Sequence, residues 1–217
     1  MTSIWLRHGT CEDGLRRPRA HARPDSALTE QGEREVIAAA MSHSEAVTLI
    51  LTSPLRRAVA SAAILSDRWQ VPVAPPDERL AEWRAPSCVL GREPTEYPPP
   101  YRAWQRRRLT EPDDALPGGE SLRALADRAE SARVHVLTLA ERIGLIVVVS
   151  HRVFIGCIAA RSAGIDDPAD MFTFARRFTI EPAGSWRLTD LPNFPVDQDK
   201  GHGPHGTSKP PASREST

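Results

Sequence analysis

The sequence predicts an α/β fold: a central sheet with helices packed on both faces. Two observations carry this. Short runs rich in β-branched residues and leucine alternate with stretches of helical length and spacing, the pattern that builds a sheet covered by helices. Residues 145–150 (Leu-Ile-Val-Val-Val-Ser) are apolar almost without interruption, as in a strand buried on both faces of a parallel sheet. The length, 217 residues, suits one domain with a substantial core or at most two small ones.

Taken in order, residues 3–6 are a short apolar run at the N-terminus and predict a buried strand. Residues 11–27 are rich in Arg, Pro, Gly and Asp and predict a loop. Thr29 is placed to cap a helix: with Gly32 and Glu33 it precedes an alanine-rich stretch that reaches Met41. Residues 47–51 predict a second strand. Ser53-Pro54 then opens a helix continuing to Trp69, since proline is tolerated in a first turn, where its missing N–H is not needed. Residues 71–74 predict a short third strand. Residues 75–117 are dense in proline, arginine and aromatics, with Tyr97-Pro98-Pro99-Pro100-Tyr101 among them; they predict an irregular insertion holding one short helix over 101–109. Residues 120–142 form the longest helical pattern, with Leu122, Leu125, Ala129, Ala132, Val136 and Leu139 at helical spacing. After the strand at 145–150, residues 153–161 return to helix. Residues 177–180 and 185–188 predict two late strands joined by the turn Glu181-Pro182-Ala183-Gly184. From Asn193 onward the chain is Pro, Gly, Ser, Lys and His without an apolar pattern, which predicts a disordered tail over 193–217 after a single domain of residues 1–192.

Charge narrows the function classes. Lys+Arg and Asp+Glu each number 28, so no net field draws the chain to nucleic acid or to a membrane surface. The lysines are confined to Lys200 and Lys209, and every other cation is arginine, whose planar fork suits phosphate and carboxylate. Cys11, Cys88 and Cys157 are odd in number and far apart, with no CxxC pair and no zinc spacing. A reduced compartment and no bound metal are expected. The N-terminal stretch is too short and polar for a signal peptide, and the apolar run at 143–149 is far short of a membrane span. The expected setting is the cytoplasm.

Three strand ends carry similar chemistry: Arg7-His8-Gly9 after the first strand, Ser53-Pro54-Leu55-Arg56-Arg57 after the second, and Ser150-His151-Arg152 after the strongest. Ligands of α/β sheets bind beyond the carboxyl ends of the strands, so the topology gathers two histidines and at least two arginines at one edge. Glu82 follows the third strand and is within reach of the same edge. Phosphoryl transfer through histidine calls for this set. A neutral imidazole attacks, guanidiniums hold the phosphoryl oxygens, and a carboxyl group protonates the leaving oxygen and later deprotonates water.

On these residues the chain resembles the phosphoglycerate-mutase-like branch, branch 1, of the histidine phosphatase superfamily. Arg7-His8-Gly9 is similar to its RHG signature, and Leu28-Thr29-Glu30-Gln31-Gly32 to its LTxxG helix start. Ser53-Pro54-Leu55-Arg56-Arg57-Ala58 with Ala62 resembles its SxLxRAxxTA segment, Leu80-Ala81-Glu82 its LxE, Gly119-Glu120-Ser121 its GES, and residues 147–151 its strand ending in SH. The resemblance implies a three-layer α/β/α sandwich with a mostly parallel sheet. It implies His8 as the phosphorylated nucleophile, Glu82 as acid and base, and Arg7, Arg57 and His151 lining the phosphate pocket. It assigns the second arginine to Arg57 rather than Arg56. It implies a small phosphorylated substrate and no cofactor.

The chain also departs from the family. Arg152 stands where a glycine often follows the second histidine; it adds a phosphate contact or narrows the pocket. The ETxWN that often follows RHG is replaced by Thr10-Cys11-Glu12-Asp13-Gly14, and the glycine-rich stretch after Glu82 by Trp83-Arg84-Ala85-Pro86-Ser87-Cys88. A metal-independent phosphomonoester hydrolase is the reading; a mutase-like phosphotransferase and a non-catalytic phosphoester-binding relative are its alternatives. Cys11 and Arg17 stand six apart, the spacing of a cysteine-phosphatase loop, but that loop would leave His8, Arg57 and His151 unexplained. The basic run Arg16, Arg17, Arg19, His21 and Arg23 is either a solvated loop or a substrate contact. Arg102, Arg106, Arg107 and Arg108 read as the wet face of a short helix. Specificity is expected in the 11–27 loop and the 83–117 insertion.

Overall fold

The computed structural model describes residues 2–189. Its elements in chain order are β1 (Thr2–Arg7), α1 (Glu12–Arg16), α2 (Glu30–Ser42), β2 (Leu49–Thr52), α3 (Arg56–Trp69), α4 (Pro99–Arg107), α5 (Leu122–Ile143), β3 (Ile146–Ser150), α6 (Arg152–Ser162), α7 (Pro168–Arg177) and β4 (Ser185–Thr189). The strands form one sheet in the order β2-β3-β1-β4, in which β2, β3 and β1 are parallel and β4 is antiparallel at the edge. The tail and the boundary at residue 192 lie outside the described residues. Among the described residues no helix is long and apolar enough to cross a membrane.

The layers follow from the two-residue period of the strands. Ile4, Leu6, Ile50, Val147 and Val149 point to one face, where Val36 and Ala40 of α2 and Ala58, Ala62 and Leu65 of α3 cover them. Trp5, Leu51, Ile146 and Val148 point to the other face, beneath α5, α6 and α7. Helix α6 is buried along almost its whole length, which is why its sequence is apolar rather than amphipathic.

The insertion departs from the expectation of an irregular excursion. It holds three 3₁₀ turns (Glu78–Leu80, Ser87–Val89, Pro94–Glu96) and α4. Trp83, Tyr97, Tyr101 and Trp104 belong to the main core, so its aromatics form part of the α5–α7 layer. Of the four arginines read as a wet face, Arg108 is buried, while Arg107 pairs with Glu111 and Asp114.

Four other expectations are corrected. Residues 71–74 make a single parallel bridge, Val73 to Ile50, because Pro72, Pro75 and Pro76 lack the N–H groups a ladder needs. Residues 177–180 form no strand. Helix α7, unforeseen in the sequence, runs to Arg177, and the carbonyls of Phe178 and Ile180 are taken by the side chains of Arg152 and Arg7. Helix α3 starts at Arg56, two residues past Pro54, because Ser53 Oγ accepts the Leu55 N–H in a turn ahead of the helix. A short helix, α1, stands inside the predicted 11–27 loop.

Thr29 caps α2 as expected, its hydroxyl accepting the Gly32 N–H at 3.0 Å. Here the chain after β1 crosses the start of α2 at glycine-to-backbone distance. A Cβ at Gly9 would overlap the carbonyl of Gly32, and one at Gly32 would overlap the carbonyl of Thr10. Backbone cannot yield as a flexible side chain does. Gly9→Ala and Gly32→Ala are therefore each expected to cost about 1–3 kcal/mol of stability, read from urea midpoints; an unchanged midpoint in both would disprove the tight crossing.

Candidate active site

Strand register places the chemistry. Arg7 pairs with Ser150 across the β1–β3 ladder and Thr52 with Val149 across β2–β3. The next residue of each strand, His8, His151 and Ser53, therefore emerges at the same carboxyl edge. The His8 N–H donates to the Ser150 carbonyl and the Ser53 N–H to the Val149 carbonyl, both at 3.0 Å, so the backbone is held up to the point where the side chains take over.

His8 Nδ1 lies 2.6 Å from the Gly9 carbonyl, and His8 Nε2 receives the Nε–H of Arg57 at 3.1 Å. A carbonyl only accepts, so the proton sits on Nδ1 and the Nε2 lone pair faces outward to Arg57. His8 is buried. Burial first, then the positive charges of Arg57 and Arg7, holds its pKa well below the ordinary histidine value, against the opposing pull of the Gly9 carbonyl.

His151 is fully buried, with its ring centroid 4.9 Å from that of His8. Its Nε2 lies 2.7 Å from Ser53 Oγ, which also accepts the Leu55 N–H and keeps a second lone pair, so the hydroxyl can meet the imidazole as donor or acceptor. Its Nδ1 is buried and without a partner. Burial and the charge of Arg57 depress its pKa as well.

Arg57 is buried and also donates to the Arg23 carbonyl at 3.0 Å. The backbone of Arg23 is fixed in turn by Asp13, whose carboxylate takes the Arg23 N–H at 2.8 Å and its guanidinium. Arg56, one residue earlier, is exposed, so the helix phase separates the two candidates. Arg7 donates to the Ile180 carbonyl at 2.8 Å, while its Nε is buried and unpartnered.

Glu82 closes the cluster. Its carboxylate accepts the N–H groups of Val153 and Phe154, at 3.2 and 2.9 Å, in the first turn of α6, whose cap is His151. It also accepts the Trp83 N–H at 2.9 Å. Free N–H groups at a helix start attract a carboxylate, so α6 orients His151 and Glu82 together. The segment is held from below by Arg128 of α5, which donates to the carbonyls of Arg79, Ala81 and Glu82 and forms a buried ion pair with Glu120.

The structure thus brings His8, Arg57 and His151 into direct contact, with Arg7 and Glu82 beside them. Arg152 stands further out. Its guanidinium is turned onto the Arg176 and Phe178 carbonyls, each at 3.4 Å, at the end of α7, and no hydrogen bond joins it to His8 or Arg57. Cys11 and Arg17 form no anion cradle: α1 occupies the residues between them, and Arg17 pairs with Glu96. The other basic loop residues divide. Arg16 is exposed, Arg19 lies 3.9 Å from Glu93, and His21 packs among aromatics.

Three contributors were missed in the sequence. Ser53 was visible at a strand end but without a role. Asp13 acts through Arg23, a contact the loop alone does not reveal. Arg128 looks like any solvated helix arginine until the fold places it beneath Glu82. Among the described residues no group of three or more His, Cys, Asp or Glu stands together as a metal site.

Comparison with known proteins agrees with this architecture. The probable phosphoglycerate mutase GpmB of Proteus mirabilis (strain HI4320) is 30% identical over 168 residues, 76% of each chain. Two solved structures share the fold at lower identity. A mycobacterial glucosyl-3-phosphoglycerate phosphatase complexed with VO3 superposes with a TM-score of 0.69 at 23% identity, covering 87% of this chain and 90% of that one. The alpha-ribazole phosphatase from Shigella flexneri gives 0.70 at 21% identity, over 87% and 90%. The model of the histidine phosphatase superfamily (branch 1) matches residues 4–185, from the first strand to the start of the last, and with it every strand end described above. The chain belongs to branch 1 of the histidine phosphatase superfamily.

Proposed function

We propose that this protein hydrolyses phosphate monoesters of small metabolites through a phosphohistidine at His8, without a metal. One observation carries the reading: the Nε2 lone pair of His8 is met by the Nε–H of Arg57, and two buried groups of the same cluster have no partner, Arg7 Nε and His151 Nδ1, which is a donor in the tautomer proposed here. Buried donors without acceptors are costly, and an anion at His8 would satisfy both.

In the proposed reaction the phosphoryl group enters beside Nε2, and Arg57 moves its N–H from the imidazole to a phosphoryl oxygen. Arg7 and His151 donate to the others and stabilise the charge spread over them. The Nε2 lone pair attacks phosphorus as the ester P–O bond breaks, and protonated Glu82 gives its proton to the leaving oxygen. Nδ1–H, fixed on the Gly9 carbonyl, bears the positive charge of the phosphohistidine. Water then attacks phosphorus, Glu82 takes its proton, and the P–N bond breaks to restore His8 and release phosphate. Arg152, from its place near α7, reaches the substrate rather than the transferring group. The free cysteines Cys11, Cys88 and Cys157 suit a reducing, cytoplasmic setting.

A second reading has support in the name of the GpmB relative: transfer of the phosphoryl group to another hydroxyl instead of water. The two share the first half-reaction. Phosphate release in a single turnover without an acceptor alcohol supports the hydrolase; retention of the label on His8 supports the transferase.

With an aryl phosphate and excess chelator, activity is expected to survive Cys11→Ser and to fall by about three orders of magnitude or more in His8→Ala. Chelator-sensitive activity, or activity kept by His8→Ala and lost by Cys11→Ser, refutes the mechanism. Arg57→Gln is expected to lower kcat/KM by about 10²–10³-fold while Arg56→Gln stays within about twofold; equal losses would undo the assignment of Arg57. Glu82→Gln is expected to cost about 10²–10⁴-fold with an alkyl phosphate and much less with an aryl phosphate, whose leaving oxygen needs little protonation.

The neutral histidines also set a pH dependence of stability. Folded His8 and His151 bind protons more weakly than in the unfolded chain, where histidine titrates at about 6.5. Their contribution is complete above that value and is lost as pH falls below it, by about 1.4 kcal/mol per pH unit for each histidine. Urea unfolding is thus expected to show a loss of a few kcal/mol between pH 7.5 and 5.0, before the carboxylates titrate. A flat or rising profile over that range contradicts buried neutral histidines.

A further inference from the structure

The 11–27 loop, the insertion and α7 meet at a second cleft. It has a volume of about 320 Å³ and is lined by His21, Trp83, Tyr97, Tyr101, Arg108 and Arg176, among others. It adjoins the catalytic cluster, because Trp83 is one of its walls and the Trp83 N–H is bonded to Glu82 Oε1. Arg152 lies between the two, bonded to the carbonyl of Arg176.

The charge balance of this cleft is unusual. Arg108 is only 8% exposed, and its guanidinium lies over the rings of Phe172, Trp104 and Trp83 at 4.6, 5.2 and 5.7 Å. Among the described residues no carboxylate stands within ion-pair distance of it, and its Nε is buried without a partner. Burial lowers its pKa most; the hydroxyl of Tyr101, a hydrogen-bond partner without a formal charge, opposes this, and the charge of Arg176, of the same sign, adds to it. Burying a charge without a counter-charge is expensive, and aromatic faces repay only part of that cost. Arg102, on the same rim, is already engaged with the Tyr97 and Thr95 carbonyls. His21, at a centroid distance of 5.4 Å from Trp83 and 5.9 Å from Tyr97, has its pKa pushed down to about 4 by burial and by Arg176, Arg108 and Arg152. It is neutral at pH 7; burial is the larger cause, and the three arginines that add to it all lie on the side of the cleft.

We infer that this cleft binds a second anionic group, a carboxylate or a second phosphoryl group, carried by the alcohol half of the substrate. Arg108 and Arg176 supply the counter-charge, and the aromatic walls take the carbon skeleton next to the leaving oxygen. The inference rests on the phosphatase reading and names its substrate class: a phosphate monoester with a second negative charge, in preference to a neutral sugar or alcohol phosphate. The volume suits a group of that size and is at the lower end for small-molecule sites.

Three probes on one skeleton test this: phenyl phosphate, 4-carboxyphenyl phosphate and 1,4-phenylene bisphosphate. The wild-type protein is expected to favour at least one anionic probe over phenyl phosphate by about tenfold in kcat/KM. Whichever of the two is preferred identifies the carboxylate or the phosphoryl group as the ligand. Arg176→Gln, at an exposed position where folding is not at stake, is expected to reduce that ratio at least threefold, and Arg108→Met to reduce it further. A wild-type ratio near one for both anionic probes, or a ratio untouched by Arg176→Gln, overturns the inference. Calorimetric titration of the same probes into His8→Ala reads the ratio in Kd without turnover. A surviving Kd ratio with no hydrolysis in the wild type would mean that the phosphatase reading fails and the cleft stands. Hydrolysis with a ratio of one in both measurements would mean the reverse.

Discussion

The hydrogen bond from the His8 N–H to the Ser150 carbonyl is the last rung of the β1–β3 ladder, and the site is built outward from it. Because β1, β2 and β3 run parallel, their carboxyl ends lie at one edge, and the register sets His8, Ser53 and His151 side by side. A one-residue slip in either ladder would turn a histidine to the opposite face of the sheet. The fully buried residues of β3 and the central residues of β1, sealed by helices on both faces, make that slip prohibitively costly. Rigidity of the core is thus converted into precision at the site.

Around that edge the protein concentrates positive charge in a dry setting. Arg7, Arg57, Arg108 and Arg152 all have their pKa values lowered by burial, and the histidines among them are held neutral. Carboxylates are few and are placed indirectly. Asp13 reaches Arg57 only through Arg23, and Glu120 reaches Glu82 only through Arg128. Glu82 itself is held by backbone N–H groups rather than by a guanidinium. Pairing the arginines directly with acids would stabilise the empty site but would place the counter-charge where the proposed reaction needs the phosphoryl group.

The insertion shows how one segment closes the core and lines a cleft at the same time. Its aromatic residues close the layer over α5, α6 and α7, and the same rings form the floor on which Arg108 is spread. Trp83 joins both roles, with its indole N–H on the Glu120 carbonyl and its backbone N–H on Glu82. The proline run starts α4, with Pro99 and Pro100 in the first turn.

Much of this was legible before any coordinates. The alternation of strands with helices and the three loaded strand ends are local patterns, set by side-chain period and turn chemistry, and they pointed to the α/β class, the branch-1 resemblance and the residues His8, Arg57, Glu82 and His151. Parts of the local reading failed where tertiary contacts overrode it. Residues 177–180 have strand composition, yet Arg7 and Arg152 take carbonyls that a ladder would have used. Arg108 has the composition of a solvated helix face, yet its ring partners lie in Trp83, Trp104 and Phe172, two of them far away in the chain. By itself the sequence determined which residues stand at the strand ends, the ones proposed to carry the chemistry, and which strands deliver them. Only the tertiary structure decided which charges are buried and which are paired, because desolvation and ion pairing depend on neighbours brought together from distant parts of the chain, and no local pattern encodes those distances.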